Sequence, residues 1–220
     1  MKIELENVSF SYGKQIILEN CNYSFEFGKI LILLGRNGAG KSTLFDLITG
    51  NLLISSGAIK RDKIVDCGYM SDDFFYYQRF TIKEMCDLVA NLREINSEDY
   101  RNSYQKYLQL LALDEFENQK ISNLSFGTKQ RVHLLLTLFH EPQEIYLDEP
   151  TNGLDPEQVY HFKTMIENLK NKNRLILIST HSLALAEDLA DEIIVLSNQK
   201  LVSLPKTSHL EADYLALQNQ

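Results

Sequence analysis

The chain has 220 residues, a formal net charge of −8 and 44% hydrophobic residues, as expected for one globular domain with a substantial core. The negative charge argues against a general nucleic-acid-binding surface, so no nucleic-acid partner is expected. No apolar run approaches the roughly 20 residues of a membrane helix, and the start MKIELENVSF lacks the apolar core of a signal peptide. Three cysteines without a CxxC pair indicate reduced thiols, and we therefore expect an intracellular protein.

The first fifty residues predict strands, a glycine-rich turn and a helix. Apolar residues mark two β segments within 1–27, and the unbroken apolar run 30–34 is typical of a strand buried on both faces. A glycine-rich turn follows this run. The next segment predicts a helix from Lys41 to about Thr49, and Gly50 is well placed to end it.

The middle of the chain predicts a short strand at 64–70 and then two helices. Thr81 and Glu84 form a T-x-x-E capping box that opens the first helix. Tyrosine and leucine residues at helical spacing indicate a second helix over 98–112. Because these helices interrupt an alternation of strands and helices, we interpret about 72–140 as an inserted α-helical subdomain.

Strands and helices alternate again after residue 140. The predicted elements are a strand at 144–147, a helix from Asp155–Pro156 to about Lys170, a strand at 174–179, a helix from about Ser182 to Ala190 and a strand at 193–197. This alternation is typical of a mainly parallel sheet covered on both faces. The chain is therefore predicted as a single α/β domain, 1–220, in which 1–71 and 141–220 form the core with an N-terminal antiparallel β part.

The strongest motif is GRNGAGKST, which fits G-x-x-x-x-G-K-[ST] between a predicted strand and a predicted helix. Glycines let the backbone curl so that its N–H groups point at phosphate oxygens, and the helix N-terminus adds a positive dipole. Lys41 supplies a charge for the β- and γ-phosphates, and the Ser42 hydroxyl can bind Mg²⁺. The candidate nucleotide-binding residues are Gly35, Asn37, Gly38, Ala39, Gly40, Lys41, Ser42 and Thr43. The motif predicts a P-loop NTPase core that uses Mg²⁺.

Four further residues suit a nucleotide site. The strand EIYLDEP ends in Asp148, which can orient Mg²⁺, and in Glu149, which can face the attacking water as a general base. His181 ends the strand that begins near Arg174 and could contact the γ-phosphate, with a capping or surface histidine as the alternative. Tyr12 could stack on a purine, with a packed core tyrosine as the alternative.

Taken in order, these motifs resemble those of the ATP-binding cassette (ABC) family of ATPases over nearly the whole chain. The resemblance implies that Tyr12 stacks on adenine, that 35–43 is the Walker A loop, that 145–149 is the Walker B strand with Glu149 as catalytic base, that Leu154–Asp155 belong to the D-loop and that His181 is the switch histidine. It also implies that Lys41, Glu149 and His181 are the catalytic residues and that the ligands are ATP and Mg²⁺.

The stretch LSFGTKQR, which begins at Leu124, resembles the family signature LSGGQ. The resemblance implies that two nucleotide-binding chains close on two ATP molecules, and that Ser125 and Gly127 of one chain touch the γ-phosphate held by the other. Phe126 replaces a glycine and Thr128 replaces a glutamine. We expect the bulk of Phe126 near the dimer seam to make hydrolysis slower or more dependent on the partner, so that Phe126→Gly raises the basal rate.

A second departure from the family pattern lies at Asp72, where the family usually has glutamine. An aspartate is an oxygen ligand, and we hypothesise that Asp72 binds Mg²⁺ or a Mg²⁺-bound water; a solvated loop acid is the alternative. The aromatic stretch 74–80 follows. It suits either a surface that receives a membrane subunit or the core of the subdomain itself.

The expected protein is the ATP-hydrolysing, nucleotide-binding subunit of an ABC transporter. Its expected partners are a second nucleotide-binding domain, in a homodimer or heterodimer, and a transmembrane permease subunit. Its expected location is cytoplasmic, peripheral on the cytoplasmic face of the cell membrane. The main alternative is a soluble ABC ATPase of the Fe–S assembly, cell-division or translation type, and a small-molecule kinase shares only the Walker A and B motifs.

Overall fold

The structure, a computed structural model, describes residues 1–71, 78–207 and 209–218. Within these residues it contains nine strands and seven α-helices. The strands are β1 Lys2–Tyr12, β2 Gln15–Glu26, β3 Ile30–Leu34, β4 Ser56–Arg61, β5 Cys67–Met70, β6 Glu144–Asp148, β7 Leu175–Thr180, β8 Glu192–Ser197 and β9 Lys200–Leu204. The helices are α1 Lys41–Thr49, α2 Ile82–Leu92, α3 Ser97–Leu110, α4 Phe126–Leu138, α5 Pro156–Leu169, α6 Leu183–Leu189 and α7 Leu210–Gln218.

Six strands form the central sheet, in the order β5-β6-β7-β3-β8-β9. The first five run parallel, and β9 at one edge is antiparallel to β8. Every residue of β3, β6 and β7 is buried, as expected for strands covered on both faces. The mainly parallel α/β sheet predicted from the alternating pattern is confirmed.

The strand order brings three segments of the chain to one edge of this sheet. Leu34 at the end of β3 pairs with Thr180 of β7, and Asp148 at the end of β6 pairs with Ser179. The segments that follow β3, β6 and β7 therefore emerge side by side. Ligands of open α/β sheets bind at this carboxyl edge.

A second, antiparallel sheet has the order β2-β1-β4 and shares a core with α1 and with one face of the central sheet. A partly buried ion pair joins the two sheets, because Arg61 Nη1 of β4 lies 2.6 Å from Glu144 Oε1 at the start of β6. The Tyr146 hydroxyl donates to Glu144 Oε2 at 2.7 Å, and burial raises the pKa of this tyrosine well above its usual value. The sheet predicted for the N-terminal part is thus anchored over the P-loop helix.

Helices α2, α3 and α4 share a second core with α5, α6 and the other face of the central sheet. The predicted capping box is present: the Thr81 hydroxyl accepts from the Glu84 amide at 3.1 Å, and the Thr81 amide donates to Glu84 Oε2 at 2.8 Å. The fold class, with its inserted helical part, is confirmed. The division of the chain into a core, 1–71 and 141–220, and a subdomain at about 72–140 stays a prediction.

Two strands, β4 and β9, were not predicted from the sequence, and β5 begins three residues later than the predicted 64–70. No residue of β4, the segment SGAIKR, is buried, and its apolar pattern is therefore weak. It forms a strand because it pairs with β1. The strand β9 follows a two-residue turn in which Asn198 and Gln199 both have positive φ, 48° and 62°. That asparagine was a usable hairpin signal.

Candidate active site

The P-loop runs from Gly35, after β3, into the first turn of α1. Gly40 has a φ of 106°, and a Cβ built on it would lie only 2.4 Å from Ile17 Cγ2 of β2. A side chain at this position would therefore push the antiparallel sheet away from the loop. The close approach of backbone and sheet leaves the start of α1 as one wall of a cleft.

Lys41 is almost completely buried at the base of this loop, at 6% exposure. Its Nζ donates to the carbonyl oxygen of Gly35 at 3.0 Å and lies 3.1 Å from Glu149 Oε1. The ammonium group is thus held by the loop from which it comes and by the acid that follows β6. A phosphate that enters the loop meets a fixed positive charge.

The acidic pair at the end of β6 is oriented by β7. The Ser179 hydroxyl donates to Asp148 Oδ1, and Ser179 Oγ accepts from the Glu149 amide at 3.1 Å. Glu149 has a φ of 47°, a left-handed conformation that is uncommon for a residue other than glycine. Strained backbone of this kind clusters at functional sites.

His181 lies beside Glu149, directly after β7. Its Nδ1 is 3.0 Å from Glu149 Oε2, and its side chain is 57% exposed. Glu149 therefore uses one carboxylate oxygen toward Lys41 and the other toward His181. The structure brings together the three residues predicted to be catalytic, although their separate roles stay predictions.

A cleft of about 350 Å³ opens between this cluster and β1. Tyr12 stands at its far end, 51% exposed, with its ring packed edge-on against Phe10 at a centroid distance of 4.9 Å. The described residues that line the cleft are Tyr12, Gln15, Ile17, Asn37, Gly38, Gly40, Lys41, Ser42, Thr43, Asp148 and Glu149. One open aromatic face at one end and a lysine at the other suit a purine nucleoside triphosphate.

Two predicted P-loop residues, Gly35 and Ala39, do not line the cleft. Gly35 offers its carbonyl oxygen to Lys41, and Ala39 is half-buried against the core beneath the antiparallel sheet, with its amide donating to the Arg36 carbonyl oxygen at 3.1 Å. Both therefore shape the loop.

The oxygen atoms at the cleft suit Mg²⁺. Ser42 is exposed in the first turn of α1, and the buried Asp148 lies across the cleft with one oxygen fixed by Ser179. Within the described residues no group of three or more His, Cys, Asp or Glu side chains could hold a metal alone. Mg²⁺ usually binds one or two protein oxygen ligands together with substrate phosphates. Ser42 and Asp148 fit that pattern, whereas Asp72 lies outside the described residues.

The signature residues stand at the start of α4, away from this cleft. The Ser125 hydroxyl caps the helix, accepting from the Thr128 amide at 3.2 Å. Gly127 approaches the turn before α5: a Cβ built on it would lie 3.3 Å from the Gly153 carbonyl oxygen. Asp155 caps α5 by accepting from the Gln158 amide at 2.9 Å. Of the described residues, those that line the cleft include none of Ser125, Gly127 and Asp155.

Only the end of the aromatic stretch 74–80 belongs to the described residues. Residues 74–77 lie outside the described residues. Phe80 is half-buried and packs against the core that α2, α3 and α4 share. The packing of Phe80 agrees with the alternative in which this residue belongs to a core, and the role of the stretch as a whole stays a prediction.

Sequence reasoning missed three residues that shape the site. Gln15 and Ile17 line the cleft because the antiparallel sheet folds over the P-loop, and no local pattern marks that contact. Ser179 is a small polar residue inside the apolar strand β7. Its position near the end of that strand was the available signal, since polar groups at the carboxyl edge of a parallel sheet point to a site.

The ABC transporter family model matches residues 18–152. The chain is 30% identical over 207 residues to the lantibiotic transport ATP-binding protein SrtF of Streptococcus pyogenes, which covers 91% of this chain and 89% of the relative. It is 29% identical over 205 residues to the uncharacterized ABC transporter ATP-binding protein MJ1023 of Methanocaldococcus jannaschii, which covers 93% of this chain and 78% of the relative. These relatives support the predicted transporter ATPase over the soluble, non-transport alternative.

Solved structures agree with these relatives. A structure described as the ATP binding subunit of an ABC transporter has a TM-score of 0.86 and 26% identity, and covers 100% of this chain and 95% of the other. The dimeric structure of MJ0796, a bacterial ABC transporter cassette, has a TM-score of 0.83 at 23% identity, covers 94% and 99%, and shows the fold alone. Within the described residues no helix has the length and apolar character needed to cross a membrane. The chain belongs to the ABC transporter family, as an ATP-binding subunit with ATPase activity.

Proposed function

We propose that this chain binds MgATP in the cleft between Tyr12 and Lys41, and that hydrolysis takes place when a second nucleotide-binding chain closes over it. The observation that carries the proposal is the cluster of Lys41, Glu149 and His181 beside Asp148 at the carboxyl edge of one sheet. A cation for phosphate, a carboxylate for water and an oxygen ligand for Mg²⁺ are the parts that phosphoryl transfer needs.

The ATP would lie along the cleft, with its base on the exposed ring of Tyr12 and its phosphates in the P-loop. Lys41 would bind the β- and γ-phosphates. Ser42 and Asp148 would hold Mg²⁺, which supplies positive charge for the phosphates. With these contacts the terminal phosphate would lie near the acid at the end of β6, because the Lys41 ammonium lies 3.1 Å from Glu149.

Glu149 is the proposed general base. Its buried carboxylate spans Lys41 and His181, so a phosphate that engages Lys41 frees one carboxylate oxygen to orient a water for in-line attack. His181, more than half exposed, can contact the terminal phosphate from the cleft opening. Ser179 keeps Asp148 and the Glu149 backbone aligned.

The second half of the site is proposed to come from another copy or a related chain. Ser125 and Gly127 stand at a helix start, where N–H groups and a hydroxyl favour an anion, yet they do not line this chain's own cleft. Ser125 and Asp155 are both exposed, so a partner can reach them. The structure is therefore suited to two chains that each complete the ATP site of the other.

The proposed setting is the cytoplasmic face of the cell membrane, on a transmembrane permease subunit. ATP acts as a ligand that binds the closed pair better than the open pair, and hydrolysis releases that preference. The permease would convert opening and closing into transport.

Glu149→Gln tests the proposed base. It keeps the shape of the side chain and removes its basicity, so we expect ATP binding to remain and turnover to fall by about 10²-fold or more. Binding is measured with a fluorescent ATP analogue, turnover by phosphate release, and association of the chains by light scattering with ATP. We expect the variant to accumulate as an ATP-bound pair.

The matched control is Glu98→Gln, an exposed acid in the first turn of α3. It should leave binding and turnover unchanged. Robust hydrolysis by Glu149→Gln would contradict the assigned role, and loss of ATP binding would show that Glu149 serves to shape the cleft.

A further inference from the structure

Phe126 replaces a glycine in the signature and packs against the turn that follows Glu149 in its own chain. The side chain is 62% exposed, so one face of the ring is open to solvent. On its other side the ring lies over Gly153: a Cβ built on Gly153 would come within 2.3 Å of Phe126 Cε1 and 2.4 Å of Cδ1. A side chain at residue 153 would clash with this ring.

A second contact joins the same two segments next to the ring. A Cβ built on Gly127 would lie 3.3 Å from the Gly153 carbonyl oxygen and 3.4 Å from Gln158 Oε1. Gln158 in turn belongs to the capping box of Asp155 at the start of α5. The beginning of α4 therefore rests on the turn before α5 at two neighbouring points.

That turn begins at Glu149. The Asn152 amide donates to the Glu149 carbonyl oxygen at 3.1 Å, and the Leu154 amide donates to the Thr151 carbonyl oxygen at 3.2 Å. Glu149, with a left-handed φ of 47°, is the first residue of this turn, so a shift of the turn moves the backbone that carries its carboxylate. The contact at Gly153 is thus linked through a short, hydrogen-bonded turn to the proposed base.

We propose that Phe126 is a positioning residue that ties the signature of each chain to the Glu149 of the same chain. The proposal rests on the shared ATP site described above and adds a link within one chain to it. The ring holds the signature lent to the partner and the turn that carries Glu149 as one unit. It reverses the expectation drawn from the sequence, in which the bulk of Phe126 slows hydrolysis from the facing chain.

The test uses mixed pairs of full-length chains that carry different affinity tags and are purified through both tags. One chain carries Lys41→Ala, so that the cleft of the other chain performs the measurable turnover. Phe126→Gly is then placed on the chain with the intact cleft, whose signature faces the inactive cleft. We expect kcat to fall by about threefold to tenfold, as a small misplacement of a catalytic group does, with the KM for ATP changed by less than about twofold.

Unchanged or raised turnover in this arrangement overturns the proposal, because bulk at the seam acts only from the facing chain. Phe126→Tyr keeps the ring and should keep kcat. Leu92→Ala, which truncates another exposed apolar side chain, on α2, is the matched control and should have no effect. Circular dichroism and the thermal midpoint check that each variant is folded.

A double-mutant cycle tests the contact itself. Gly153→Ala carries backbone strain in any background because Gly153 has a φ of 74°. In the presence of the Phe126 ring it must also displace that ring, so we expect a larger loss of kcat in the wild-type background than in Phe126→Gly. Equal losses in the two backgrounds overturn the contact.

Ser125→Ala on the chain that carries Lys41→Ala separates the two proposals. This serine faces the intact cleft, so turnover falls if the site is shared. A fall with Ser125→Ala and none with Phe126→Gly keeps the shared site and overturns the tie. A fall with Phe126→Gly and none with Ser125→Ala supports the contact between Phe126 and the Glu149 turn within one chain, but contradicts the shared site and with it the role of this contact in the signature lent to the partner.

Discussion

The beginnings of α1 and α4 are both proposed to meet phosphate, but the chain completes them differently. Among the described side chains none caps α1, whose N-cap is Gly40 in a left-handed conformation. At α4, the Ser125 hydroxyl accepts the Thr128 amide at 3.2 Å and lies 2.8 Å from Thr128 Oγ1. The amide hydrogens that open α1 are left for a ligand, whereas part of those that open α4 are satisfied within the chain.

The charges around the two helices differ in the same sense. Lys41, Glu149 and His181 converge beside α1, and they come from three separate segments of the sheet edge. The start of α4 presents an exposed serine and the open ring of Phe126. A fixed cluster of charges can hold a phosphate by itself, whereas neutral donors on an exposed helix start complete a site that is mostly built elsewhere. This difference fits the proposal that each chain binds one ATP at its own P-loop and completes the partner's ATP site with the start of its α4.

Ser125→Asp should change ATP turnover more than any other substitution at the start of α4 or α1 considered below. Aspartate caps helices as well as serine does, so the free energy of unfolding should change by less than about 0.5 kcal/mol. A carboxylate facing the partner's γ-phosphate should lower ATP turnover by about 10²-fold, because it puts negative charge where positive potential is needed. Phosphate release and chemical unfolding measure the two quantities.

The control for this variant is Asn96→Ser, which exchanges the cap of α3 for another good cap. It should leave turnover unchanged. If Ser125→Asp keeps its activity, the start of α4 does not face a phosphate and does not complete the partner's ATP site.

The two helices bury basic side chains in different surroundings. Lys41 in α1 lies against a carboxylate, whereas burial in α4 lowers the pKa of His133, 2% exposed, to about 3. His133 is therefore neutral in the fold and takes up a proton only on unfolding. Its contribution to stability is fully present above pH 6.5 and is lost as the pH falls toward 3. At pH 5 this loss is about 2 kcal/mol.

His133→Leu should therefore show a drop in the free energy of unfolding between pH 7 and pH 5 that is smaller than the wild-type drop by that amount. Urea titrations at the two pH values measure it. Leu136→Met on the same helix is the control and should keep the wild-type difference. Equal pH dependence in wild type and His133→Leu would show that the pKa of this histidine is the same in the folded and unfolded states.

Ser179→Ala should have a smaller effect, and it tests how Asp148 is oriented beside the P-loop. It removes the hydroxyl that fixes Asp148 Oδ1 and accepts the Glu149 amide. Mutation of a group that orients a metal ligand typically weakens metal affinity by about 10- to 100-fold. We therefore expect about tenfold weaker apparent Mg²⁺ binding in ATPase titrations. Ser203→Ala, on the exposed edge strand β9, should leave the titration unchanged. An unchanged titration of Ser179→Ala would mean that Asp148 is oriented by other contacts.

Features that depend on neighbouring residues could be predicted from the sequence alone. The P-loop lies between β3 and α1 as predicted, because nine adjacent residues contain the glycines, the lysine and the helix start. The caps of α2 and α5 at Thr81 and Asp155 are local for the same reason. The family followed from the order of such motifs along the chain.

Which distant segments meet could not be predicted in this way and follows from the folded structure. Ser179 reaches Asp148 because β6 and β7 are neighbours in the sheet, and Ile17 limits Gly40 because β2 folds over the P-loop. Phe126 covers Gly153 although 27 residues separate them, and β4 is a strand because β1 lies beside it. Periodicity and spacing record how a segment folds locally. The strand order and the packing of helices onto sheets, which bring these atoms together, depend on contacts between segments far apart in the chain.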